Sequence, residues 1–419
     1  MRHFFCTLVA VLFLTSQLFA ADWPVFHGPN GDNKSPDTGM LKKWSPDGPK
    51  LLWTIDYIGH GFSSVSISEG KLYITGNVQR DGKELSMIFC INKDGKKIWE
   101  NDNGPGQPDK QRYAATRGTP HIDGEFLYDI SAVGEVGCFN KKTGEKIWNR
   151  NVMTDYNGPI PWWFLGHMPV VDGDNVICMV GGPKTLAVAL DKRTGKTVWE
   201  SPVADSPKPA TGYTTPYLFD FEGIRVVVVM SQGSAEGLDA KTGKRLFAVP
   251  WSNKQNCHCA KPIYRNGNLL MTTAYEGGGS KLFKLTKNAD GTITPTEMWY
   301  EPRFNHHHGG VILVDDYVYG TVFDGSWCSI NFLTGEMGYK ARSIGSGSVH
   351  YADGLIYGLS ESDQTVILLK PEPKEYVEIS RFELPNEAEG KSWAHPVVLN
   401  GKLYLRHAQY LYCYDVKAP

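Results

Sequence analysis

The stretch Ala189-Leu-Asp-Lys-Arg-Thr-Gly-Lys-Thr-Val-Trp199 decides the fold. A short apolar strand ends in Asp191, whose carboxylate can accept hydrogen bonds from the turn that follows. Thr194-Gly195 supplies that turn, because glycine tolerates the positive φ of a tight reversal. A second strand then runs to Trp199. The unit is a β-hairpin with a small residue at its start and an aromatic at its end. Its echoes are Cys90-Ile-Asn-Lys-Asp-Gly-Lys-Lys-Ile-Trp99, Cys138-Phe-Asn-Lys-Lys-Thr-Gly-Glu-Lys-Ile-Trp148, Gly237-Leu-Asp-Ala-Lys-Thr-Gly-Lys-Arg-Leu-Phe247 and Ser329-Ile-Asn-Phe-Leu-Thr-Gly-Glu-Met-Gly-Tyr339. Weaker copies follow Lys284, Leu368 and Cys413. The eight starts are spaced about 46 residues apart on average, the length of one propeller blade.

A second hairpin precedes each of these. Examples are Thr119-Pro-His-Ile-Asp-Gly124 before Phe126-Leu-Tyr128, Pro169-Val-Val-Asp-Gly173 before Val176-Ile-Cys178, and Pro396-Val-Val-Leu-Asn-Gly401 before Lys402-Leu-Tyr404. Two hairpins make a four-stranded antiparallel blade. Units start near Phe62, Thr116, His167, Thr214, Cys259, Gly309, Gly347 and His395. The last lacks an outer strand, while Leu51-Leu-Trp-Thr-Ile55 stands spare before the first. The pattern predicts an all-β, eight-bladed propeller whose N-terminal strand completes the C-terminal blade and removes the open edges. The degenerate unit around Leu368 leaves seven blades as the competing count. An open solenoid or a β-sandwich pair fits the repeat less well.

Composition is that of a globular chain: 41% hydrophobic residues, 21% charged and a net charge of −2 give no basis for binding nucleic acid. Residues 1–20 read as a secretory signal. Arg2 and His3 open it, Leu8 to Phe13 form its apolar run, and Ala20-Ala21 suit cleavage near Asp22. That run is too short to span a bilayer, and no later stretch is apolar enough to do so. The expected product is a periplasmic or secreted chain, 22–419, forming one propeller domain. It keeps seven of the eight cysteines, an odd number that does not suggest a disulfide framework. Three of them, Cys90, Cys138 and Cys413, share one repeat position, which favours packing over chemistry.

The Ala189-x-Asp191-x-x-Thr194-Gly195-x-x-x-Trp199 pattern resembles the tryptophan-docking motif of PQQ-like propellers. The resemblance implies that Trp99, Trp148 and Trp199 pack between neighbouring blades, with Phe247 and Tyr339 as weaker substitutes. The segment Asp22-Trp-Pro-Val-Phe-His-Gly-Pro-Asn-Gly31 is similar to the start of a bacterial subgroup that carries Arg where this chain has His27. The family includes quinoprotein alcohol dehydrogenases, and also the propeller subunit of the outer-membrane barrel-assembly machinery, which binds no quinone. Many of the dehydrogenases set a disulfide of adjacent cysteines against the quinone, and their quinone is held with calcium. This chain has Cys257-His258-Cys259 instead, and no calcium-binding Glu/Asn/Asp set stands out. These departures argue against bound PQQ.

Propellers carry functional groups on the loops that lead into their innermost strands. Here those loops hold Arg112-Tyr113-Ala-Ala-Thr-Arg117, Pro161-Trp162-Trp163-Phe-Leu-Gly-His167, Asn256-Cys-His258-Cys259, Asn305-His306-His-His308 and Ser392-Trp393-Ala-His395, with His60 before the first blade. If they converge, His167, His258, His308 and His395 are candidate acid–base residues, since imidazole titrates near neutrality. Arg112, Tyr113, Arg117, Trp162, Trp163 and Trp393 are candidate ligand-binding residues: the aromatics as flat walls, the arginines as bidentate carboxylate partners. A transition metal is an open reading at His258, His306 and His308. Alternation along an extended strand lets His306 and His308, but not His307, share a direction. Cys257 and Cys259 add thiols that could hold zinc with His258 or a distant histidine, though no second cysteine pair at zinc-site spacing exists. Cys257–Cys259 could also close as a strained local disulfide. Each histidine alone is as readily explained by a loop carbonyl. Gly277-Gly-Gly279 reads as a turn, and Lys96-Lys97 and Lys141-Lys142 as solvated hairpin tips.

Three functions remain, in this order: a His/Trp/Arg funnel that binds, and could process, a small polar ligand such as a saccharide or uronate; a scaffold for another envelope protein; and a PQQ-dependent dehydrogenase.

Overall fold

The computed structural model describes residues 21–107, 113, 115–385 and 388–419. Residues 1–20, the expected leader, and Arg112 lie outside the described residues.

At each strong repeat the Asn or Asp side chain caps its own turn. Asp191 Oδ1 accepts from the backbone of Arg193 and Thr194 at 3.1 and 2.8 Å. Asn140, Asp239 and Asn331 make the equivalent pair of bonds, and Asn92 accepts instead from the backbone of Asp94 and Lys96. The small residue at the start of the hairpin faces the aromatic at its end: Cys90 opposite Trp99, Cys138 opposite Trp148, Ala189 opposite Trp199. A β-bulge follows directly in each case and turns the aromatic toward the next blade.

The docking contact is then the same from blade to blade. The indole N–H of Trp99, Trp148 and Trp199 donates to the carbonyls of Lys141, Lys192 and Ala240 in the turn of the following blade, at 3.0, 3.1 and 3.1 Å. The ring also covers that turn's glycine. A Cβ on Gly195 would sit 2.7 Å from the ring of Trp148, and one on Gly243 2.5 Å from that of Trp199. Two further tryptophans that the motif did not single out do the same: Trp299 donates to Phe332 and Trp53 to Lys93. Phe247 packs instead against Gly237 of its own blade, and Tyr339 against Tyr376. Among the lysine-rich tips Lys141 is a correction: it is buried, with Nζ 3.0 Å from Glu69 of the preceding blade.

The described residues form eight four-stranded antiparallel sheets, so the count is eight and the unit around Leu368 is a full blade. Their first strands are Ser66–Ser68, His121–Asp123, Val170–Asp172, Tyr217–Phe221, Ile263–Arg265, His306–Val314, Gly347–Ala352 and Val397–Leu399, for blades 1 to 8. Blade 8 is completed by Lys50–Ile55, antiparallel to Tyr410–Asp415. That strand carries Trp53, so ring closure reuses the docking contact found between the other blades. Buried Arg406 of blade 8 reinforces the seam, donating to Ser63 Oγ, the Thr75 carbonyl and the Gly59 carbonyl at 2.7, 2.6 and 3.0 Å. Among the described residues no helix is long and apolar enough to cross a membrane.

Candidate functional site

The segment after Asp22 crosses the inner strands. Trp23 pairs with Ile67, the Pro24 carbonyl accepts from Ile122, and Ser35 donates to Tyr351, each at 2.8 Å. Gly28 fits because it has no Cβ, which would stand 2.5 Å from the ring of Trp23. This places Phe26 on the wall of a cavity of about 580 Å³. His27 holds the segment against blade 8, with Nε2 3.2 Å from His395 Nδ1.

The loops leading into the blades supply the rest of the lining. Trp393 is the centre of an aromatic group, with ring centroids 4.5 Å from Phe62, 5.0 Å from Tyr113 and 5.5 Å from His308. Trp163 packs on Tyr213, and Tyr275 on Phe323. Two polar atoms in this wall, Trp393 Nε1 and His308 Nε2, are shielded from water and make no hydrogen bond within the chain. Such atoms are costly unless a ligand or water meets them. Near the same wall Glu361 lies 3.4 Å from Lys391 and 3.9 Å from His308.

The most reactive corner is built from the loop into blade 5 and the first strand of blade 6. Asn253 clamps the loop: its Oδ1 accepts from the Cys257 N–H at 3.0 Å and its amide donates to the Cys257 carbonyl at 2.6 Å. Cys257 and Cys259 then point the same way, their sulfurs 3.3 Å apart as free thiols. His258 between them points back into the structure beside Trp251. The sulfurs and a His307 ring nitrogen all lie within 4.8 Å of one another. His307 is fixed by the Tyr275 hydroxyl and by His308 Nδ1, each at 3.0 Å.

The electrostatics separate the two thiols. The hydrogen bond from Cys257 holds the Cys259 thiol below its ordinary range against the effect of burial, and His307 and Arg117 add to the lowering. Cys257 is driven up by the same shared bond and by burial. Burial pulls His307 down, but its bond to Cys259 and the charge there outweigh this and leave it raised. Both shifts favour the thiolate–imidazolium form of the Cys259–His307 pair. Such a pair can act as a nucleophile with its base, or as part of a soft metal's donor set.

The structure sorts the sequence-predicted residues. His308, His395, Tyr113, Arg117, Trp163 and Trp393 line the cavity. Arg117 is buried rather than surface-paired. It donates to Gln107 Oε1 and to the carbonyls of Ala115 and Tyr113, and burial lowers it to about 10. Trp162 is 63% exposed and is not part of the lining. His167, His258 and His306 are corrections: all three are buried off the lining, and neither ring nitrogen of any of them makes a hydrogen bond within the chain. Burial drives them down to about 4, 4 and 3.

The metal expectation at His258, His306 and His308 is corrected for a related reason. Between His306 and Val311 the strand bulges, five residues running against two from Val322 to Gly320. Alternation fails there. His306 turns under Phe304, while His307 and His308 both reach the cavity. Reading the sequence missed His307 and Phe26. The glycines after His308 were the available signal for a bulge.

Comparison with known proteins agrees with this architecture. Residues 35–178 and 132–377 match the PQQ-like repeat family described as outer membrane protein assembly factor BamB. The chain belongs to that family. A curated relative, outer membrane protein assembly factor BamB of Burkholderia pseudomallei (strain K96243), is 27% identical over 192 residues. That match spans 43% of this chain and 44% of the relative's length. BamB from Moraxella catarrhalis superposes with a TM-score of 0.60 at 15% identity, over 88% of this chain and 99% of that one. Quinohemoprotein alcohol dehydrogenase from Comamonas testosteroni gives 0.66 at 11% identity, over 95% and 81%. At such identities the two solved structures speak for the fold alone.

The calcium-bound quinone implied by the resemblance does not fit the donors in this cavity. Calcium needs six to eight hard oxygen ligands. Of the carboxylates in the lining, Asp324 is paired with Lys340 and Glu361 with Lys391. The one cluster with ligand spacing found among the described residues is sulfur and imidazole.

Proposed function

We propose that this chain is an exported propeller whose funnel binds a small, polar, ring-bearing ligand, a saccharide or uronate in class. One observation carries the reading: Trp393, Trp163, Tyr113 and His308 converge on one cavity of about 580 Å³, where Trp393 Nε1 and His308 Nε2 make no hydrogen bond within the chain and His308 Nε2 lies 3.9 Å from Glu361. Flat faces at Trp393, Trp163 and Tyr113 suit a sugar ring. Buried Arg117 in the lining favours an anionic group, while Lys391 is paired with Glu361 and His307 with Cys259. The test is titration of the chelator-treated mature protein with neutral sugars and uronates, followed by tryptophan fluorescence and calorimetry. Saturable binding that is lost in His308→Ala is the expected result. No response to any sugar or uronate would overturn the saccharide class.

A second reading has its own observation. Ile160 and Trp162 are exposed together on the loop leading into blade 3, and the family is described by an assembly factor. Such a patch suits an envelope-protein partner. A photo-crosslinker at position 162 in intact cells tests it. One discrete envelope protein supports docking, and the absence of any adduct removes it.

A further inference from the structure

We propose that Cys257, Cys259 and His307 form a three-ligand site for a thiophilic transition metal of the zinc class, with its fourth position open to the funnel. This deepens the funnel reading by giving the bound ligand a Lewis acid to meet.

The geometry is that of a donor set held ready. Two sulfurs 3.3 Å apart and an imidazole nitrogen within 4.8 Å need only small side-chain rotations to surround one ion. Zinc bonds of about 2.3 Å to sulfur and 2.0 Å to nitrogen set donors roughly 3.3 to 3.8 Å apart in a tetrahedron. The backbone that carries them is already fixed, through Asn253 on one side and the inner strand of blade 6 on the other. Both ring nitrogens of His307 are bonded in the metal-free chain, Nε2 to the Tyr275 hydroxyl and Nδ1 to His308 Nδ1; the metal takes the place of one partner, and the other remains as the outer contact that orients the imidazole.

All three ligands line the cavity. The fourth position therefore faces the space where a ligand oxygen or water would lie, as in sites with two cysteines, one histidine and an open position. A nucleophilic thiolate would need only one cysteine, whereas the second thiol, co-directed two residues away, is what a chelate requires. Soft sulfur donors select against calcium and magnesium.

Cobalt(II) added to the reduced, chelator-treated mature protein, with no sugar present, tests the site. The expected result is one equivalent bound per chain, with thiolate-to-cobalt charge-transfer absorption and tetrahedral d–d bands that zinc abolishes by displacement. Cys259→Ser and His307→Ala should each weaken binding by about 100-fold or more. Cys90→Ser, a buried thiol outside the funnel, should leave it unchanged, with circular dichroism confirming that every variant is folded. On the unmutated protein, zinc should protect Cys259 from alkylation, read by peptide mass. Cobalt spectra without the charge-transfer band, equal binding by Cys259→Ser, or alkylation unaffected by zinc would each overturn the site. Cobalt uptake without sugar binding would keep the metal site and remove only the saccharide reading.

Discussion

The outer rim and the axial funnel of this propeller are built by opposite rules. At the rim one packing problem recurs around the ring, and one solution recurs with it: an Asx-capped turn, a small residue, a bulge and an indole donating to the next blade. In the funnel each inner loop contributes a different combination of side chains. Repetition marks the part that makes the fold, and its absence marks the part free to become specific.

Removing a docking indole should have the largest effect. Trp199 is buried and bonds across a blade boundary, so Trp199→Ala should lose about 3–5 kcal/mol. The measurement is the urea midpoint, and cobalt uptake by the folded fraction should be unchanged.

Acid comes next. Burial lowers His167 from 6.5 to about 4 and His350 to about 3. Below pH 6.5 the unfolded chain binds protons that these buried rings refuse. Their contribution is therefore complete above pH 6.5 and is lost as pH falls toward 4 and 3, by about 3 kcal/mol for a shift of His167's size. Asp129, raised by burial to about 7, works in the opposite sense: its contribution is held at low pH and lost as pH rises through 7. Two histidines outweigh one acid, so denaturation at pH 4.5 should need less urea than at pH 7. An equal or higher midpoint would contradict the buried neutral state.

Gly243→Ala should be milder, about 1–3 kcal/mol. Its φ is +72° and the new Cβ would stand 2.5 Å from the ring of Trp199. In Trp199→Ala that clash disappears, so the two substitutions should be strongly non-additive. Smallest at the level of stability is His308→Ala, which removes an imidazole with an unpartnered nitrogen from the cavity wall. The expected change in urea midpoint is below about 1 kcal/mol, alongside lost ligand binding.

This division also explains what could be read in advance. The hairpin from Ala189 to Trp199 carries its strand ends, turn and docking residue within eleven letters, so local chemistry exposes the blade. The closing strand was legible because one unit lacked a partner and one strand lacked a unit. Trp299 escaped notice because its hairpin is longer, turning at Asn288 to Thr292 without the Thr-Gly signature. The funnel was legible only as a set of loops. Which side chain of a loop enters the cavity depends on bulges and backbone contacts made far away in sequence. That is why His306 and His307 exchanged roles, and why His167 and His258 turned into the buried interior instead. Phe26 reaches the cavity through the fold of a segment that belongs to no blade.

Two tryptophans, one at the rim and one in the funnel, allow the most direct test. Trp199→Ala and Trp393→Ala would be compared side by side for urea midpoint and for uronate or sugar binding by calorimetry. The expected result is a crossed pair: Trp199→Ala unfolds early yet binds while folded, and Trp393→Ala stays stable yet fails to bind. Trp393→Ala that loses as much stability as Trp199→Ala, or that binds like the unmutated chain, would contradict the assignment of function to the funnel.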